Sequence, residues 1–308
     1  MQQIETMCHI QTCNTIIVGS GAAGYSAAER LWQLGQHDIL LLTEGKNAGT
    51  SRNTGSDKQT YYKLTLSGDG QDSYTEMAQT LFQGGSIDGD QALAEAVGSV
   101  PCFIHLAELG VPFPTNRWGE YVGYKTDHDP RDRATSAGPL TSRMMTEALE
   151  RSVNQLGVPI LDHHLLLQIL TEQNQVQGVI CLDMDLEKLV LIRCRNLILA
   201  TGGPPCLYAD SVYPASQHGA NGIAFACGGH GHSRAGAGAR LPVVPRVQGR
   251  QGHSRELRLP GRAVSRAGRA ADAGLLFHSF LHRSENHAEP PPYGVCLYIR
   301  PGIGHNTR

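Results

Sequence analysis

The stretch Ile16-Ile17-Val18-Gly19-Ser20-Gly21-Ala22-Ala23-Gly24 decides the fold. Thr15-Ile16-Ile17-Val18 is a short β-branched apolar run that stops at a glycine. Small residues follow, and then Leu31 and Leu34 recur at helical spacing, so the order strand, turn, helix is expected. A second apolar run, Ile39-Leu40-Leu41-Leu42, closes the unit as another strand. The glycines at 19, 21 and 24 form a G-x-G-x-x-G pattern at the strand-to-helix turn. Gly19 permits the tight turn, Gly21 removes a side chain that would keep a pyrophosphate from the backbone, and Gly24 lets helix and sheet approach. Helix-end N–H groups then face the phosphates. Glu44, 20 residues after Gly24, stands where an acid accepts hydrogen bonds from a ribose hydroxyl. Ser20, Ala22 and Ala23 complete the candidate turn.

Outward from this unit the pattern continues. Leu93, Val97, Val100, Ile104 and Ala107 predict an amphipathic helix ending at Gly110, with Pro101 expected to kink it. Met145, Leu149, Val153 and Leu156 predict another before Gly157. Between Pro159 and Leu199 the period shortens. Apolar stretches at 165–170, 176–182 and 189–192, separated by polar turns, predict a small antiparallel meander, and Asn196-Leu197-Ile198-Leu199 a buried strand. The expected class is α/β: a Rossmann-like dinucleotide-binding domain carrying a small antiparallel β-meander.

Composition divides the chain. It has 308 residues and a formal net charge of −2. Residues 1–228 hold 24 acidic against 14 basic residues, and residues 229–308 hold 4 against 12, every one of those 12 an arginine. Half of the 14 histidines also fall in that last part, among runs such as GHGHSRAGAGAR. The expected organisation is an N-terminal extension at 1–13, the nucleotide-binding domain at 14–228 and an atypical Arg/Gly/Pro-rich tail at 229–308, irregular or disordered. A nucleic-acid-binding role for the tail is not expected, because its arginines are scattered and few aromatics are interleaved for base stacking. No apolar run approaches the ~18 residues of a membrane span, and the first residues lack a signal-peptide layout, so a cytoplasmic protein is expected. The eight cysteines form no C-x-x-C pair, so neither a zinc site nor a disulfide framework is suggested. No metal site is expected.

Four segments together resemble the FAD-dependent fumarate reductase and succinate dehydrogenase flavoprotein family, which also includes aspartate oxidases and ketosteroid dehydrogenases. They are IIVGSGAAGYSAAERL with Glu44, the polar loop GTSRNTGSDK at 49–58, DPRDRATSAGPLTSRMMTEALER at 129–151, and NLILATGGPPCLYADSVYPASQHGANGIAFACG at 196–228. The resemblance implies FAD as cofactor. It assigns Thr50, Ser51, Asn53, Thr54 and Gly55 to the ribityl chain, pyrophosphate and ring edge, and Ala200, Thr201, Gly202 and Gly203 to a second nucleotide-contacting turn. Respiratory members attach FAD through a histidine in the loop after the acid; positions 46–58 contain none, so noncovalent FAD is expected. A plain NAD-dependent dehydrogenase would lack such a polar loop.

The implied reaction is hydride transfer between flavin N5 and a small carboxylate or carbonyl substrate. The family's substrate-binding histidines and proton-shuttling arginine lie in a cap inserted after the second turn and in the C-terminal return to the FAD domain. None of those later segments is recognisable after Gly228, so no catalytic residue is assigned, and neither substrate nor electron partner is named. The abrupt composition change is what a shifted reading frame in GC-rich coding DNA produces, and a truncated or frameshifted, inactive member is one expectation. A noncatalytic nucleotide-binding remnant with a basic interaction tail is the alternative. Arg133 and His218 sit in matched segments, but each is expected to be a satisfied or solvated side chain rather than a substrate ligand. Asp127, His128 and Asp129 lack the convergence of a metal site, and His163 and His164 are expected on opposite faces of a strand.

Overall fold

The computed structural model describes residues 9–53, 59–68, 70–84, 87, 89–126, 129–203, 219–228 and 297–298. Thr54, Gly55, Asp127, His128 and His218 lie outside the described residues, as does the tail at 229–308 apart from two positions.

The central sheet is built from the apolar runs read in the sequence. Strands β2 (Thr15–Val18), β3 (Ile39–Leu42), β6 (Ile160–Leu161) and β10 (Asn196–Leu199) run parallel in the order β10-β2-β3-β6. The two-residue strand β11 (Leu297–Tyr298) pairs antiparallel outside β10. All four residues of β2 and of β3 are buried, as expected of a strand covered on both faces.

Alternation along these strands divides the core in two. Ile17, Ile39, Leu41 and Ile198 face one cluster, with α1 (Ala22–Gln33), α4 (Gly89–Glu108) and α5 (Thr141–Leu156) packed over it. Ile16, Val18, Leu40, Leu42, Leu197 and Leu199 face the other cluster, shared with Leu166, Ile169, Val179, Cys181, Val190 and Ile192. Those partners come from β7 (His164–Glu172), β8 (Gln175–Asp183) and β9 (Lys188–Arg193), the antiparallel meander. Helices, parallel sheet and meander thus form three layers, and a one-residue slip of any central strand would exchange its two buried faces.

Several features depart from the sequence reading. The meander gains a fourth strand, β1 (His9–Thr12), parallel to β9, so residues 9–12 of the stretch read as an extension join a sheet. The helix at 89–108 is present and continues through Pro101, but its buried face is Ala92, Glu95, Ala96, Gly98, Ser99, Phe103 and Leu106. Val97, expected on that face, is 45% exposed. Small residues set the contact, because they let the helix approach both Phe103's aromatic neighbours and α3 (Tyr74–Gln83). The helix at 141–156 buries Met145, Leu149 and Val153 as expected, and ends in left-handed Gly157.

A second, polar centre lies beside the short antiparallel pair β4 (Tyr61–Tyr62) and β5 (Ala134–Thr135). Arg133 is fully buried there. Its guanidinium makes a two-pronged bond to Asp72, at 2.9 and 2.7 Å, and donates to Thr80 and the Tyr62 hydroxyl. Asp129 stands 3.5 Å away as a second counter-charge. Burial drives the Asp72 carboxyl upward, but the Arg133 bonds and charge together with the N–H groups of Thr65 and Ser73 outweigh it and hold it below its ordinary range. Arg133 is therefore the satisfied side chain expected of it, and the same contact makes Asp129 an ion-pair partner. Among the described residues no group of histidine, cysteine and carboxylate side chains could hold a metal ion.

Candidate cofactor site

The sequence dictates a sharp turn where β2 meets α1, and the structure shows why glycine is required there. Gly19 has φ +109°, and a Cβ on it would lie 2.4 Å from the Ala200 carbonyl oxygen. A Cβ on Gly24 would lie 1.7 Å from the Gly19 carbonyl oxygen. Both contacts are backbone to backbone, so neither can relax by a side-chain rotation. Ala22, Ala23, Ala27 and Ala28 continue the small buried face of α1 against the sheet.

The turn is wired to its neighbours by hydrogen bonds. Gly19 N–H donates to Leu42 O at 2.8 Å, and Ala200 N–H to Val18 O at 2.8 Å. The Ser20 hydroxyl meets that of Thr43 at 2.9 Å, and Gly45 N–H donates to the same Thr43 oxygen. The C-terminal ends of β2, β3 and β10 are thereby held together, at the end of a parallel sheet where dinucleotides bind.

Glu44 follows β3 by two residues and is half-buried. Thr50, Ser51 and Asn53 lie in α2 (Thr50–Asn53), a single turn across from the start of α1. Ser51 Oγ accepts from Ala22 N–H at 3.4 Å, and the Asn53 amide closes its own turn by donating to Asn47 O and Gly49 O. Ala200 is buried at the exit of β10, Thr201 Oγ1 accepts from Ala220 N–H at 3.1 Å, and Gly202 takes φ +68°. All the described candidates from the three segments gather at this one end of the sheet.

The residues fit a dinucleotide. The N-cap residue Gly21 brings no side chain to the first turn of α1, where Ala22 N–H donates to Ser51 Oγ at 3.4 Å and the helix dipole favours an anion. Among the described residues a Cβ on Gly21 would meet only Ser51 Oγ, at 3.4 Å, and a Cβ on Gly203 would meet nothing within 4 Å. The protein's own packing therefore demands glycine at 19 and 24 but not at 21 or 203, the two positions where an approaching phosphate or ring would need the room.

Sequence reasoning missed Thr43, Arg52, Tyr25 and Glu150. Arg52 Nη2 donates to Glu150 Oε2 at 2.6 Å, and the Tyr25 hydroxyl donates to Glu150 Oε1 at 3.3 Å. Burial and then the Glu150 charge push the Tyr25 phenol well above its usual range, so it stays a donor. These partners lie roughly 100 residues apart in the chain, and no spacing rule could have joined them. Elsewhere, His163 meets Asp185 at 2.9 Å and His164 lies 3.7 Å from Asp183, contacts remote in chain position from the turn. Cys13, Cys181 and Cys194 are free and buried, with thiols pushed up to about 11, 12 and 12 chiefly by burial, so they are inert.

A family model described as an FAD binding domain matches residues 14–249. The match begins at Asn14, as the sequence reading does, and runs beyond Gly228. L-aspartate oxidase of Vibrio cholerae is 26% identical over 231 residues, covering 70% of this chain and 41% of that protein. The 8-methylmenaquinol:fumarate reductase flavoprotein subunit of Wolinella succinogenes is 24% identical over 196 residues, covering 63% and 32%. A chain of E. coli quinol fumarate reductase superposes with a TM-score of 0.61 at 20% identity, over 68% of this chain and 35% of that one, a likeness of fold. The chain spans less than half the length of these relatives. No helix among the described residues is long and apolar enough to cross a membrane.

Proposed function

Because the chain belongs to the FAD binding domain family, we propose that it is the nucleotide-holding part of an FAD-dependent oxidoreductase acting on a small carboxylate or carbonyl compound. The observation that carries this reading is the convergence of the 19–24 turn, Ser51 and the 200–203 turn at one end of the parallel sheet, with room for a ligand at Gly21 and Gly203. The relatives named fumarate reductase and L-aspartate oxidase support the substrate class.

Bound FAD would supply reversible two-electron chemistry at its flavin N5. The chain's residues bind and orient it. The first turn of α1, whose Ala22 N–H also meets Ser51 Oγ, and the Gly21 backbone receive the pyrophosphate. Glu44 accepts hydrogen bonds from the adenosine ribose. Ser51, Thr50 and Asn53, with Thr54 and Gly55, supply polar contacts along the ribityl chain, and Ala200 to Gly203 let the backbone approach from the other side. Attachment is noncovalent, since positions 46–58 hold no histidine. Substrate binding and proton delivery fall to chain beyond the 200–203 turn, and no described residue is assigned to them.

The decisive experiment is a flavin titration followed by a substrate screen. Purified protein is loaded with FAD and desalted, and its visible band is followed anaerobically, for the dithionite-reduced protein with fumarate or enones as acceptors and for the oxidised protein with L-aspartate or succinate as donors. Reoxidation by one of the acceptors or reduction by one of the donors supports the proposal. A retained flavin that no candidate reoxidises or reduces would instead support a noncatalytic nucleotide-binding role.

A further inference from the structure

We propose that Arg52, Glu150 and Tyr25 form a clamp that positions the polar turn at 50–53 over the start of α1, and that this clamp, which rests on the FAD reading, sets the affinity for the cofactor. The turn α2 is four residues long and buries none of them. It therefore has no apolar anchor of its own, and a single isolated turn is not a stable helix. Among the described residues the Asn53 amide ties the turn to its own preceding loop, through Asn47 O and Gly49 O. Arg52 ties it to a different layer.

The clamp joins three elements. Glu150 lies on α5, and its two carboxylate oxygens are divided between Arg52, at 2.6 Å, and the Tyr25 hydroxyl, at 3.3 Å. Tyr25 is on the first turn of α1 and fully buried. Glu147, one turn earlier on α5, adds a second carboxylate 3.7 Å from Arg52 Nη1. The Arg52 and Glu150 side chains are 11% and 18% exposed, so the pair is shielded from the screening that weakens surface ion pairs. A charge-assisted bond of this length fixes geometry as well as energy.

The consequence falls on the neighbouring residue. Ser51 Oγ sits against Ala22 N–H, the first amide of α1, and is the atom nearest to where a Gly21 side chain would be. With α1 and α2 both referred to Glu150, the distance between the Ser51 hydroxyl and the helix amides is set before the ligand arrives. Such preorganisation raises affinity by lowering the ordering cost of binding. Arg52 is thus a positioning residue that acts through Glu150.

The experiment measures FAD dissociation constants by flavin fluorescence quenching, the position of the bound flavin band, and the melting temperature without FAD, in full-length wild type, Arg52→Met, Arg52→Lys, Tyr25→Phe, Glu150→Gln and the Arg52→Met/Glu150→Gln double variant. The expected result is an affinity roughly 10- to 100-fold weaker for Arg52→Met with a shifted flavin band, partial recovery in Arg52→Lys and a smaller loss in Tyr25→Phe. The double variant is expected to be no weaker than the worse single one, because the two residues act as a unit. Unchanged affinity in Arg52→Met and Tyr25→Phe, with only the melting temperature lowered, would overturn the clamp while leaving the FAD reading intact. Fully additive losses would overturn it too, since Arg52 would then act without Glu150. A wild type that binds no FAD would overturn both.

Discussion

Gly24→Ala and Gly21→Ala form a matched pair that separates what the fold requires from what the cofactor requires. The added Cβ at 24 would sit 1.7 Å from the Gly19 carbonyl oxygen and 2.8 Å from its carbon. A carbon-to-oxygen contact normally stays beyond about 3.3 Å, so α1 and the turn must separate by roughly 1.5 Å. Both sides are backbone in a close-packed layer, and overpacking of that kind costs about 3 kcal/mol. At 21 the nearest atom is Ser51 Oγ at 3.4 Å, an ordinary contact. Gly21→Ala should leave the cofactor-free protein within about 1 kcal/mol of wild type, the cost of alanine at an N-cap. Its methyl group would occupy the space through which a pyrophosphate reaches the first amides of α1. Losing one charge-assisted hydrogen bond there is worth about 1.5–3 kcal/mol, or roughly 10- to 100-fold in affinity. Urea unfolding without FAD and a fluorescence titration with FAD read the two effects separately. A Gly24→Ala protein as stable as wild type, or a Gly21→Ala protein that binds FAD undiminished, would refute the reasoning.

Other expectations follow from the buried charges. Arg133→Met should lower stability by about 3–5 kcal/mol, because it leaves the Asp72 and Asp129 carboxylates buried without their counter-charge. A loss below about 1 kcal/mol in urea unfolding would show that water reaches them. Lys63 is fully buried, over the Phe103 ring at 4.9 Å, and burial lowers its amine to about 8 from 10.5. A lysine with a depressed folded value is destabilising below that value and is relieved as pH rises toward 10.5. Lys63→Met should therefore gain about 1–3 kcal/mol at pH 7, and a destabilised variant would contradict this. His105 is raised above 6.5, chiefly by its hydrogen bond to the buried Glu29 carboxylate at 2.8 Å, which Ser152 also contacts. A raised folded value means stability that is present below pH 6.5 and lost as pH climbs through that value. His105→Gln should flatten the melting-temperature profile as pH rises above 6.5, and parallel profiles would count against the pair.

The layers of the fold were legible because the strands at 15–18, 39–42 and 196–199 are largely continuous apolar runs, and the meander strands at 164–172, 175–183 and 188–193 are apolar stretches parted by short polar turns. The four-residue β1 was not, since His-Ile-Gln-Thr carries no apolar pattern and is defined by its partner β9. The phase of α4 was misread because alanine, glycine and serine form its contact face, whereas hydrophobicity rules weight Val97 and Leu93. At the site, spacing exposes Gly19, Gly21 and Gly24 because all three fall in one strand-to-helix turn, although only the clash of Gly24 with Gly19 is local to it. Arg52, Glu150 and Tyr25 are joined only when two helices and a loop pack, and Thr43 is recognisable only after Ser20 is placed beside it. The demand at Gly19 comes from Ala200, far along the chain, which local reading cannot supply.

The most direct test of the account is the visible absorbance spectrum of purified full-length protein, mixed with FAD, desalted, and then acid-precipitated. The account predicts a flavin band retained near one per chain after desalting and released wholly into the acid supernatant, as noncovalent binding at the β2, β3 and β10 ends requires. A protein that emerges colourless from desalting, or one whose flavin stays with the precipitate, would contradict it.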